Sequence, residues 1–153
     1  MSENFSLCLR LFELRYFNFI IFCMIFRGIS ATFSTIGAKQ YNTIGSFWDY
    51  MSNIYGMENL RGLGYNWTET TIEYAIGLEN NYKIDLDIMK LTQIGINASY
   101  KEISIPLQGW ERFNGKTDDL PKIYEKIYLN GQLEYEIERF TNDGNCTIDI
   151  IRK

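Results

Sequence analysis

The spacing of apolar residues divides the chain into extended and helical segments. Residues 17–26 form a run of ten, Phe-Asn-Phe-Ile-Ile-Phe-Cys-Met-Ile-Phe, dominated by β-formers. It is too short to cross a bilayer as a helix, which takes about 20 residues. Arg10 and Arg15 precede it and small residues follow it, so a signal-peptide core is one reading. Acidic Glu13 among the basic residues and the phenylalanine and isoleucine content favour the other, a buried strand. From Ile44 the pattern changes. Ile44, Phe47, Trp48, Met51, Ile54 and Tyr55 recur at helical spacing, and Gly56 stands where a left-handed cap ends a helix.

Arg61-Gly62-Leu63-Gly64-Tyr65 reads as a glycine-rich loop, and Ile72, Tyr74, Ile76 and Leu78 then alternate as in a half-buried strand over residues 71–79. Residues 80–90 are polar and acidic, a surface excursion with one helical turn around 85–89. Residues 100–105 alternate into Pro106, and 107–113 form a second extended stretch. Asp118-Asp119-Leu120-Pro121 suits a helix start, followed by the stripe Leu120, Ile123, Tyr124, Ile127 and Tyr128, with Gly131 closing it. Strand signals resume over 133–140 and 147–151, separated by the turn Asn142-Asp143-Gly144-Asn145.

The resulting order is strand, helix, strand, strand, repeated once, which suggests a duplicated unit without a residue-level repeat. The expected fold is α+β: two β-α-β-β units sharing one antiparallel curved sheet, both helices on one face and a central ligand cavity on the other. A chain of 153 residues, 46% hydrophobic and 22% charged, suits a single globular domain over 1–153.

Composition narrows the chemistry. A net charge of −4 argues against a nucleic-acid surface, since phosphate binding needs a positive field. The absence of histidine removes Ser-His-Asp and Cys-His catalysis and imidazole metal sites. Eleven Tyr, ten Phe and three Trp are more rings than a small core requires, so chemistry falls to carboxylates, tyrosines and aromatic walls. Cys8, Cys23 and Cys146 are an odd number without a close pair, which fits buried thiols in a reducing cytoplasm. Gly62 and Gly64 match no nucleotide-binding fingerprint, and Asp85 and Asp87 read as surface acids rather than a calcium site, so no cofactor and no metal are expected.

Glu138 is the first candidate for function. In the strand over 133–140, Leu133, Tyr135 and Ile137 share one side, while Glu134, Glu136, Glu138 and Phe140 share the other. That second side is either a solvated acidic face or, if the helices cover the Ile137 side, the floor of a cavity. Trp48 and Tyr124 lie on helical stripes, where a ring packs a core as readily as it walls a pocket. Tyr74 should converge on the same centre. Trp110, between Gln108-Gly109 and Glu111-Arg112, suits a pocket rim, with Phe113 nearby, and Trp67 reads equally as a lid or a loop anchor.

Together these segments resemble a known family. Ile105-Pro106-Leu107-Gln108-Gly109-Trp110-Glu111-Arg112-Phe113 looks like the Ile-Pro…Tyr-x-x-Phe segment of the GyrI-like domain, the effector-binding domain also attached to AraC-type and MerR-type regulators. Leu120-Pro121-Lys122-Ile123-Tyr124 resembles its second helix, Ile137-Glu138-Arg139-Phe140 its Phe-Glu-x-Tyr strand, and Asp149-Ile150 its closing strand. Gly28-Ile29-Ser30, residues 44–48 and Tyr74-Ala75-Ile76-Gly77 follow the order of its first half, so the likeness runs from about residue 14 to the end. Ile151-Arg152-Lys153 departs from it, standing where the family commonly has an aromatic and a proline.

The resemblance implies a cavity for amphipathic, often cationic aromatic molecules, with Glu138 at the family's buried glutamate and Trp110 at its usual tyrosine. It implies a stand-alone, cytoplasmic effector-binding protein without a DNA-binding segment or membrane contact, monomeric or homodimeric. The expected ligand site is Glu138, Trp110, Phe113, Tyr74, Trp48 and Tyr124. Two other activities occur among such relatives: hydrolysis of reactive cyclopropanoid compounds, for which Glu138 would be the base, and inhibition of gyrase through a protein partner.

Overall fold

A computed structural model describes the backbone of residues 7–14 and 17–153 and the side chains of residues 23–153. The strands are β1 (Leu7–Leu14), β2 (Phe17–Ser34), β3 (Leu60–Tyr65), β4 (Thr71–Leu78), β5 (Ser99–Pro106), β6 (Glu111–Lys116), β7 (Leu133–Phe140) and β8 (Asn145–Arg152). The helices are α1 (Gln40–Tyr55), α2 (Met89–Gln93) and α3 (Leu120–Tyr128). All pairings are antiparallel, in the order β1-β2-β4-β3-β7-β8-β6, with β5 also paired to β2. The fold is α+β with a single curved antiparallel sheet, as the sequence pattern predicts.

Two halves are related across the centre of the sheet. β2-α1-β3-β4 and β6-α3-β7-β8 meet at the β3–β7 ladder, where Gly62 pairs with Glu138 and Gly64 with Glu136. Only four residues, 107–110, link β5 beside β2 to β6 at the far edge. Seven flat strands would put those edges about 29 Å apart. The five steps from Pro106 to Glu111 reach about 17 Å at most, so the sheet has to curve. The apolar run 17–26 lies within β2, whose residues 23–30 pair with β5 and 29–34 with β4. Among the described residues no helix is long and apolar enough to cross a membrane.

The two faces of the sheet carry different cores. Under α1, Phe47, Trp48 and Met51 bury against Phe33, Tyr74 and Ile76, and under α3, Tyr124 and Ile127 bury against Ile148 and Ile150. The opposite face holds Phe26, Leu63, Ala75, Ile105 and Ile137, with Trp110 and Tyr135 at its margin. Arg61 also lies buried away from the helices, its guanidinium 4.6 Å from the Phe26 ring centre and 2.9 Å from Asn81 Oδ1. Burial lowers its pKa to about 10.

Several local expectations change in the folded chain. Residues 61–65 are not a loop but belong to β3, a central strand with neighbours on both sides. Its glycines stay in the strand because their missing side chains leave room for others. A Cβ on Gly62 would stand 2.0 Å from the Tyr74 hydroxyl, and one on Gly64 would stand 2.6 Å from Glu136 Oε1. α1 begins at Gln40, ahead of its apolar stripe, and the helical turn expected at 85–89 is the short α2 at Met89–Gln93. In β7 a register shift between Leu133 and Tyr135 puts Leu133 in the core beneath α3, although Tyr135 and Ile137 face the other way.

Candidate functional site

α1 stands over β2 and β4, and α3 over β6 and β8, so neither covers the central β3–β7 ladder. Because β3 presents Gly62 and Gly64 there, it sends no side chain of its own up between the helices, and the Tyr74 hydroxyl and the Glu136 carboxyl lie over its backbone instead. A cavity of about 260 Å³ opens at this place. It therefore lies on the same face as the helices and between them, not on the opposite face as expected. The physical reason is the division of labour within β7. Ile137 packs into the core away from the helices, which leaves Glu136 and Glu138 beneath them.

Both carboxylates reach the cavity from an enclosed position, Glu136 at 4% exposure and Glu138 at 6%. The acidic strand face is thus not solvated, apart from Glu134, which is exposed. Tyr41, Ile44 and Trp48 of α1 form one wall, and Leu120, Tyr124 and Tyr128 of α3 the other. Trp67, from the β3–β4 connection, closes a third side and packs against both helix cores. Tyr124 and Tyr128 stack with ring centres 5.8 Å apart, and Trp48 meets Phe140 edge-on at 4.9 Å. Tyr41 and Tyr128 stand at the exposed rim.

A hydrogen-bonded chain leads to one of the two acids. The Trp48 indole donates to the Tyr74 hydroxyl at 2.8 Å, and that hydroxyl donates to Glu138 Oε1 at 2.6 Å. Glu138 is pushed above the usual carboxyl range by burial, while the Tyr74 and Tyr124 hydroxyls pull it back. Glu136 is pushed well above it by burial and then by the charge on Glu138, with a smaller opposing effect from Tyr124. Tyr124 Oη is near enough to influence both acids but reaches hydrogen-bond geometry with neither. It and Glu136 Oε2 are buried without a hydrogen-bond partner. Among the described residues that line it none is Lys or Arg, and Asp49 adds a third acid on the α1 side.

The expected site is brought together in part. Trp48, Tyr124 and Glu138 line the cavity, and Tyr74 is fully buried beneath it, acting on Glu138 through its hydroxyl. Trp110 lies elsewhere. It packs beside Tyr135 on the face away from the helices, 6.3 Å between ring centres, and its indole donates to the Pro106 carbonyl at 2.9 Å. The tight turn at Gly109, with φ of 92°, folds the indole back onto the end of β5. Phe113 packs under α3 with Ile123 and Tyr124 and does not line the cavity. Glu136, Tyr41 and Tyr128 are among the lining residues that the pattern did not place in the site. The alternation of Glu136 with Glu138, and the one-turn spacing of Tyr128 from Tyr124, were the available signals.

Tyr74→Phe tests the chain directly. It leaves the Trp48 indole and Glu138 without a partner in a closed space, so a loss of about 1–3 kcal/mol in denaturant unfolding is expected. The Glu138 carboxyl, followed by NMR titration, should rise further. An unchanged titration would mean that Tyr74 does not control the acid.

No protein-family model matches this chain, and no curated protein matches it.

Proposed function

We propose that this protein binds amphipathic aromatic cations in the cavity between α1 and α3, with Glu138 as the counter-charge, acting in the cytoplasm as an effector-binding protein. The observation that carries this reading is a buried carboxylate on the floor of an aromatic cavity with no basic residue among the described residues that line it. A carboxylate in such surroundings is costly to ionise, and a bound organic cation offsets that cost. Rings add attraction for a positive group, about 0.5–2 kcal/mol each when well placed, and Trp48, Trp67, Tyr124 and Tyr128 supply them. The likeness of residues 137–140 to the GyrI-like strand agrees with this assignment, although Trp110 takes no part in it.

Trp48 and Trp67 line the cavity, so indole fluorescence reports on its occupancy. Titration with planar aromatic cations should give saturable quenching, with neutral isosteres at least tenfold weaker, about 1.4 kcal/mol. Glu138→Gln should remove most of that preference. Equal affinity for cation and isostere in the parent protein would reject Glu138 as a counter-charge, and no quenching by either would reject the pocket as a site for such compounds.

A further inference from the structure

The counter-charge reading uses one carboxylate, and the cavity has two. Glu136 is as deeply buried as Glu138 and faces the same space, yet the Trp48–Tyr74 chain ends on Glu138 alone. Glu136 Oε2 has no hydrogen-bond partner, and neither has the Tyr124 hydroxyl above it. Native proteins seldom leave a buried polar atom unmatched, and an unmatched one on a cavity wall has its partner in whatever fills the cavity. Gly64 pairs with Glu136 across the ladder and yields its side-chain space to that carboxyl, where any larger residue would displace it.

We infer, building on the cation-binding reading, that the preferred ligand is an aromatic dication, with one positive centre on Glu138 and the other on Glu136. The spacing follows from the strand: side chains two residues apart on one face stand about 7 Å apart. Two ammonium groups on opposite sides of a single benzene ring match that separation, with the ring between the walls formed by Trp48 and Tyr124. A single positive centre satisfies one acid and leaves the other to hold a proton. A second centre lets both ionise, and among the described lining residues no base competes for either.

The test compares three ligands of nearly one shape on the full chain: p-xylylenediamine, the monocation p-methylbenzylamine and neutral 1,4-benzenedimethanol, at physiological salt to screen long-range attraction. The parent should bind the diamine at least about tenfold more tightly than the monoamine, beyond the twofold advantage of a symmetric ligand. In Glu136→Gln, an isosteric change, that ratio should fall to about two. Unfolding curves check that this variant folds. A ratio near two in the parent, or a tenfold ratio that survives Glu136→Gln, overturns the two-charge inference. If the monoamine still depends on Glu138 in that case, the single counter-charge stands without it. If neither amine, nor any planar cation, binds better than its neutral isostere, both readings fall together.

Discussion

Gly62→Ala should destabilise the protein by about 3 kcal/mol. The new Cβ would stand 2.0 Å from the Tyr74 hydroxyl, 2.6 Å from its Cζ and 2.9 Å from the Trp48 ring. Tyr74 is wholly enclosed, so its ring has no vacant rotamer to take up. Relief requires the ring to move off Glu138, which breaks the Trp48–Tyr74–Glu138 chain as well as straining the core. Urea unfolding of the variant measures the loss. Indole quenching should show weakened cation binding at ligand concentrations that saturate the parent. Gly37→Ala is the control, since nothing lies within 4 Å of the added atom; its φ of 62° makes the substitution slightly strained on backbone grounds alone. A variant at Gly62 as stable as the parent would mean that the sheet centre is loosely packed and that the cavity floor is not held by β3.

Glu136→Gln should make the unliganded protein more stable at neutral pH. The sign follows from the carboxyl's raised pKa. In the folded chain Glu136 holds its proton above the ordinary carboxyl range because of burial and the neighbouring charge on Glu138. The unfolded chain releases that proton near the ordinary glutamate value of 4.5. Between those two points the folded state binds more protons, so the stability due to this group is complete below the unfolded value. It is lost as pH rises through the folded one, at up to about 1.4 kcal/mol per pH unit. Glutamine cannot ionise and removes the loss. Glu138 is raised by burial too, so the measured quantity is the difference between variant and parent across pH 4 to 8. That difference should start near zero and grow with pH. A variant less stable than the parent at pH 7 would show that Glu136 is ionised and favourably paired in the folded state. A saturating aromatic dication should reverse the order, because it binds the ionised pair in the parent and has only one acid to meet in the variant.

These results would bear differently on what could be read without a structure. The helical stripes of α1 and α3 were legible because 3.6-residue periodicity is a property of the chain itself, and Phe47, Trp48, Met51, Tyr124 and Ile127 are buried as that periodicity requires. The alternation along β7 was legible for the same reason, and it grouped Glu136 and Glu138 on one side. β3 was not legible, because Arg-Gly-Leu-Gly-Tyr has two residues without side chains where alternation would be read. What makes it a strand is the bulk of Tyr74 and Glu136, which come from β4 and β7 and fill the space above its glycines. Trp110 was misplaced for a related reason. Its polar neighbours suggest a rim, but the turn at Gly109 and the Pro106 carbonyl return the indole to the opposite face.

The sequence by itself determined the class of fold, the two amphipathic helices and the pairing of acids on one strand face, because each depends on residues close together along the chain. Only the tertiary structure decided which face of β7 the helices cover. Alternation separates two sides of a strand but carries no sign, and the choice rests on long-range packing of Ile137 with Phe26, Leu63 and Ile105. That one choice turns an acidic strand face, which would otherwise be solvated, into a buried pair of carboxylates walled by Trp48, Trp67, Tyr124 and Tyr128.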